Sequence, residues 1–141
     1  MKGFSLVEIL IVIAILAFLL VLLAPSGIQF YRTQQLDTVT EEIVQALRKV
    51  QLNSMSVKND SAFGVYFSSD QYVLFRGNSY LSRDQEEVFE ILNDISFSGD
   101  ISEVVFSKLN GDPNNLGNII LTLDNKTKTI NINSAGRINL E

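Results

Sequence analysis

From Ile9 to Ala24 the chain carries no polar side chain, and this run limits what its N-terminal part can become. A helix rises about 1.5 Å per residue, so residues 4–24 are long enough to cross a hydrocarbon core, which takes about 20 predominantly apolar residues. The segment is therefore expected to span a membrane. One carboxylate, Glu8, stands near its start. A charge at the centre of a spanning helix costs about 2.5–3.5 kcal/mol on insertion scales and less toward the ends, so Glu8 needs a partner or a purpose. Lys2 and the amino terminus supply positive charge on the leading side. The positive-inside rule then leaves the rest of the chain outside the cytoplasm.

An ordinary secretory signal has an apolar region of about 7–15 residues followed by a small-residue cleavage site. This run is longer and has an acid at its start. A plain signal anchor satisfies the hydropathy but explains neither the Gly3-Phe4 pair nor the placement of Glu8. The order Met1-Lys2-Gly3-Phe4-Ser5-Leu6-Val7-Glu8 is a short basic leader, then Gly, Phe, Ser and Leu, with Glu four residues after Phe. It resembles the class III signal of type IV prepilins and pseudopilins. The resemblance implies that a prepilin peptidase cuts between Gly3 and Phe4 on the cytoplasmic side and methylates the new N-terminal Phe4, leaving the apolar helix as an assembly surface. It also implies that Glu8 pairs with the Phe4 amine of a neighbouring subunit during filament entry. Physical chemistry is consistent with both roles. A residue without Cβ before the scissile bond lets a protease approach the backbone, and an intersubunit ion pair recovers part of the insertion cost. The partners implied are other pilin or pseudopilin subunits, the peptidase, an inner-membrane assembly platform, and membrane lipid before assembly.

With 141 residues, there is room for the anchor and one small domain. The net charge of −5 lies outside the anchor, because only Lys2 and Glu8 precede Arg32. An acidic exterior disfavours nucleic acid and anionic lipid as general partners. There is no cysteine and no histidine, so the domain has no disulfide staples, and Cys or His metal sites and His-dependent triads are excluded. No cofactor and no catalysis are expected.

Pro25-Ser26-Gly27 interrupts the apolar run, and a helical pattern resumes from Arg32 to Val57, so Pro25 is read as a kink within one long helix. Leu36, Val39, Ile43, Ala46, Leu47 and Val50 recur at three- and four-residue steps and form one apolar stripe, which requires a sheet to cover it. Acids (Asp37, Glu41, Glu42) precede bases (Arg48, Lys49), as the helix macrodipole favours. Asn59-Asp60 is expected to end the helix. The polar face is not markedly basic, which speaks against a separate helix lying on a membrane surface.

After Ser61 the period becomes alternating. Phe63, Val65 and Phe67, a turn at Ser68-Ser69-Asp70, and a return over Tyr72 to Phe75 read as a hairpin. Residues 77–87 read as polar and turn-rich, and Val88 to Leu92, Ile95 to Phe97 and Val104 to Phe106 as short strands of open pairing. Ile119, Leu121 and Leu123, then Ile130 and Ile132, then Ile138 and Leu140 form a closing three-stranded meander, with turns at Asp124-Asn125 and Ser134-Ala135-Gly136. The fold class is thus α+β: a long kinked N-terminal helix whose second half packs on an antiparallel β-sheet. The expected divisions are 1–3 leader, 4–25 transmembrane and assembly helix, 26–58 amphipathic half, and 59–141 β-rich part, the last two forming one pilin-like head.

The closing pattern of Asn118-Ile119-Ile120-Leu121, Thr129-Ile130-Asn131-Ile132 and Gly136-Arg137-Ile138 is similar to the end of H-type minor pseudopilins and related FimT-like minor pilins. Major pilins often carry a C-terminal cysteine pair, which this chain lacks. Some FimT-like pilins bind DNA through a basic C-terminal region, but here Lys126, Lys128 and Arg137 are diluted by Asp124 and Glu141, and phosphate contacts need clustered bases. The oxygen-rich run Asn110-Gly111-Asp112-Pro113-Asn114-Asn115 parallels the calcium loop of major pseudopilins. It lacks the EF-hand spacing and reads as a turn, so no metal site is assigned. Glu86, Glu87 and Glu90 read as a solvated face, with no cleft for paired-carboxylate chemistry.

The expected function is therefore that of a structural subunit, minor rather than major, of a type IV pilus or type II secretion pseudopilus. It would be a single-pass protein of the cytoplasmic membrane before assembly, and part of a cell-surface or periplasmic filament afterward. The alternative is a membrane-anchored extracytoplasmic module that binds a surface ligand or takes part in DNA uptake.

Overall fold

A computed structural model describes residues 3–91 and 94–141, without the side chains of residues 23–26. The chain divides into two compact units, Met1–Gln34 and Gln35–Glu141. A single helix, α1, covers Leu6–Met55. The kink expected at Pro25 falls among residues 23–26, whose side chains lie outside the described residues; the helical assignment itself continues through them.

In the second unit the stripe read from the sequence is buried: Leu36, Val39, Ile43, Ala46, Leu47 and Val50, joined by Val44. Each fully buried aliphatic side chain contributes about 1.5–3 kcal/mol relative to exposure. Two polar groups enter this face satisfied. Thr40 Oγ1 donates to Leu36 O at 2.6 Å, and Ser54 Oγ accepts from Phe63 N at 2.9 Å.

The helix ends at Met55, ahead of the expected Asn59-Asp60. Val57 turns left-handed at φ 51°, and residues 58–60 form one 3₁₀ turn. A left-handed residue after the last turn is a common stop. The terminal carbonyl of Ser54 is then taken by Val57 N and Leu109 N, at 3.1 and 3.2 Å.

The helix covers two four-stranded antiparallel sheets rather than one. The first has the order β3-β2-β1-β5, with β1 Phe63–Phe67, β2 Gln71–Arg76, β3 Gln85–Glu90 and β5 Glu103–Phe106. The second has the order β4-β6-β7-β8, with β4 Ile95–Gly99, β6 Gly117–Leu123, β7 Lys126–Ile132 and β8 Ile138–Leu140. The hairpin and the closing meander are as read. Ser68 N closes the first turn on Gln71 O, while Leu140, at the chain end, is exposed.

Residues 85–87, read as turn-rich, instead begin β3. The strand pairs with β2 from Gln85↔Arg76 to Gln71↔Glu90. As an edge strand it can keep acids in water while its backbone completes the ladder. Glu86 meets Arg83 at 2.6 Å and Glu87 meets Lys49 at 2.9 Å. The strand stops at Glu90, short of Leu92, which lies outside the described residues.

Between β4 and β5 the chain changes sheet within residues 100–102. Asp100 N still donates to Asn118 O in the second sheet, and Ser102 O already accepts from Phe67 N in the first. One face of each sheet and the helix stripe share a single core, in which Val65, Phe106, Ile119, Leu121 and Ile130 are almost fully enclosed. Gln51 ties two loops to the helix, its Nε2 donating to Gly111 O at 3.1 Å and to Gly136 O at 2.8 Å. Lys128 reaches Asp37 at 2.9 Å.

The outer face of the first sheet is roofed by the short turn Tyr80–Ser82. Tyr80 stacks on Tyr66 with centroids 4.1 Å apart, and the Arg83 guanidinium lies 4.0 Å over its ring. Gly64 makes room for the ring of its cross-strand partner Phe75, because a Cβ there would stand 2.5 Å from Phe75 Cζ and 2.7 Å from Val104 O. Arg76 and Asp84 close the segment with a bidentate contact, Nε to Oδ1 at 2.7 Å and Nη2 to Oδ2 at 2.6 Å. Those hydrogen bonds hold the Asp84 carboxyl below its ordinary pKa. A lowered folded-state pKa gives stability that is present above the unfolded value of about 3.9 and is lost as pH falls through the folded value. Replacing Arg76 with Gln is expected to return the Asp84 pKa to the ordinary carboxylate range in an NMR titration; an unmoved value would refute the assignment.

Candidate processing and assembly segment

Gly3 and Phe4 precede α1, and Glu8 lies in its first turn. Ser5 occupies the position before the helix, where its carbonyl accepts Glu8 N at 3.0 Å and Ile9 N at 3.3 Å. It is therefore the N-cap, and Glu8 is the third helical residue. Ser5-Leu6-Val7-Glu8 is the sequence pattern of a capping box, a signal the sequence carried beside the processing motif. An acid at Glu8 fits its place in the cap pattern and is favoured there by the helix dipole. Glu8 is exposed, and no side-chain partner for it is found among the described residues.

Nothing within the described chain requires glycine at position 3. A Cβ there would meet nothing within 4 Å.

Every large apolar side chain from Phe4 to Leu22 is exposed, with Phe4 itself 77% accessible. The helix is long and apolar enough to cross a membrane, and none of its most apolar window is buried. Apolar surface this extensive needs lipid or another protein to cover it, which fits a membrane-anchored protein.

Elsewhere the candidate residues serve the fold. Asn114 Oδ1 accepts from Val105 N at 2.7 Å, Asn115 Nδ2 donates to Glu103 O at 2.9 Å, and Asp112 N donates to Ser107 Oγ at 3.1 Å. The oxygen-rich loop is a set of turns that complete the edge of β5. Of the three bases weighed for DNA, Lys128 is engaged by Asp37.

No curated protein and no solved structure matches the chain. Residues 1–24 match the family model described as the prokaryotic N-terminal methylation motif. That match does not reach the C-terminal meander on which the likeness to minor subunits rests. The chain carries the prokaryotic N-terminal methylation motif at the head of an exposed apolar helix, and this supports a type IV pilin-like or pseudopilin precursor.

Proposed function

We propose that this protein is a structural subunit, a minor one, of a type IV pilus or type II secretion pseudopilus. The observation that carries the reading is the methylation motif over residues 1–24, set on a helix whose large apolar side chains from Leu6 to Leu22 are all exposed. In this reading the leader 1–3 is removed between Gly3 and Phe4, Phe4 is N-methylated, and residues 4–25 cross the membrane before packing against other subunits. Pro25 is the point at which the helix bends, and residues 26–58 with 59–141 form the head. Association of the apolar segments lets a subunit leave lipid without exposing this surface to water. The proposed partners are the prepilin peptidase, the assembly platform and other pilin-type subunits, with the head outside the cytoplasm. DNA is not among them, because the bases near the C-terminus are sparse.

Mass spectrometry of the N-terminal peptide, from membranes and from sheared filaments of native cells, tests this. A methylated Phe4 present in membranes and at low ratio to the major subunit in filaments is expected. An uncut Met1 in every fraction would overturn the reading. Gly3→Leu is expected to block cleavage completely, because the added side chain obstructs approach to the scissile bond. A mature Phe4 terminus in that variant would refute the assigned cut.

A further inference from the structure

The first sheet has two edges, and only one is sealed. Along β5 the outward backbone is occupied by the following loop: Asn114 Oδ1 accepts from Val105 N, Asn114 N donates to Val105 O, and Asn115 Nδ2 donates to Glu103 O. Along β3 it is free. Ile91 N donates to Asp70 O, and bonded and non-bonded pairs alternate along an antiparallel ladder. Gln85, Glu87 and Phe89 therefore bond to β2, while Glu86, Val88 and Glu90 turn their N–H and C=O groups away from it. Among the described residues nothing takes up those groups. The register is unbroken and the strand holds no proline, so neither a bulge nor a missing donor blocks the approach of a further strand. Every residue of β3 is exposed except Phe89, which is half-buried.

We infer that the free edge of β3 is a strand-addition site for an extended segment of another protein, one that sets an apolar side chain beside Val88 and a lysine or arginine beside Glu90. The open ladder specifies an extended backbone, because main-chain pairing at a sheet edge needs a strand in register. Side chains specify the rest. Glu86, Val88 and Glu90 share one face of the sheet, and Val88 keeps 49% of its surface exposed between the two acids. Charge is uneven along the strand. Toward Gln85 the bases are matched, Arg76 with Asp84, Arg83 with Glu86 and Lys49 with Glu87, and Lys58 lines the neighbouring groove. At the other end, neither Glu90 nor Asp70 has an ion pair among the described residues. Opposite charges across strands attract and like charges directly opposite repel. The same rule disfavours a second copy of β3, because antiparallel pairing centred on Val88 would set Glu86 against Glu90. Glu87 faces α1, where it meets Lys49, and a residue added opposite it turns to that side. There β3 borders a groove of about 230 Å³ whose walls include Val50, Phe63 and Leu74. The inference rests on the head and is independent of processing at Gly3.

The test is fluorescence anisotropy of a labelled, end-capped peptide, Thr-Lys-Thr-Val-Thr-Lys-Thr, titrated with the full chain in a non-ionic detergent. Saturable binding is expected, with slowed amide exchange at Glu86, Val88 and Glu90 in the bound state. The same peptide N-methylated throughout keeps its charge and loses its backbone donors, so it is expected to bind at least about tenfold more weakly. Val88→Pro removes an outward N–H that bonds nothing in the fold, a placement that edge strands tolerate. It is expected to weaken binding by at least about tenfold while the head still shows its thermal transition. Glu90→Lys is the second variant should the proline impair folding, with weakening in the same direction. Absence of binding, equal binding of the N-methylated peptide, or unaltered affinity in a folded variant would overturn the inference.

Discussion

Replacing Glu8 with Ala is expected to leave cleavage between Gly3 and Phe4 intact and to remove the chain from filaments. If the carboxylate pairs with a neighbouring Phe4 amine away from water, deleting one partner leaves an uncompensated charge, which costs about 3–5 kcal/mol. At about 1.4 kcal/mol per decade, incorporation should fall more than about a hundredfold relative to wild type in competition. Glu8→Gln separates the two explanations of this residue. Glutamine at the third helical position preserves the capping-box pattern but carries no charge. Under intersubunit pairing Glu8→Gln fails as Glu8→Ala does; under capping alone it assembles normally. The readout is the ratio of variant to wild-type chains in sheared filaments, and normal incorporation of both variants would eliminate the pairing role.

The second large effect concerns the head. Leu47 is fully enclosed between α1 and the sheets, so Leu47→Ala removes buried methyl groups and leaves a cavity that its neighbours only partly fill. The expected loss is about 2–5 kcal/mol, a large fraction of the 5–15 kcal/mol typical of a small domain. Leu16→Ala changes a side chain that is exposed in the folded chain. It should alter unfolding of the head by no more than about 0.5 kcal/mol, although it removes surface from the apolar segment. Denaturant unfolding of the two variants in detergent checks the pair; equal losses would mean that the division between core and assembly surface is misplaced.

Gln51 shows where sequence reading stopped. It lies on the helix between Val50 and Leu52, and no motif marks it, yet its amide joins the 107–113 loop to the turn before β8 through two carbonyls distant in sequence. Residues 85–87 show a second limit. Three successive polar positions, two of them acids, carry no alternation of apolar residues, because β3 is an edge strand and its outer side chains remain in water. Periodicity detects burial, and a strand held mainly by backbone pairing does not supply it.

The N-terminal segment and the closing meander lie at the opposite extreme. Residues 4–24, the Gly3-Phe4-Glu8 arrangement, the helix stripe from Leu36 to Val50, and the alternation of Ile119, Leu121 and Leu123 with Ile130 and Ile132 are legible in the chain itself. Each of these signals depends on neighbours a few residues apart or on local composition. Tertiary structure alone decided that the strands form two sheets, that the chain crosses between them at residues 100–102, and that Asn118, Asn131 and Asn139 come abreast on an open face. Those outcomes depend on pairing between strands remote in sequence, chosen by how two inner faces and one helix stripe close a shared core, and no local pattern encodes that choice.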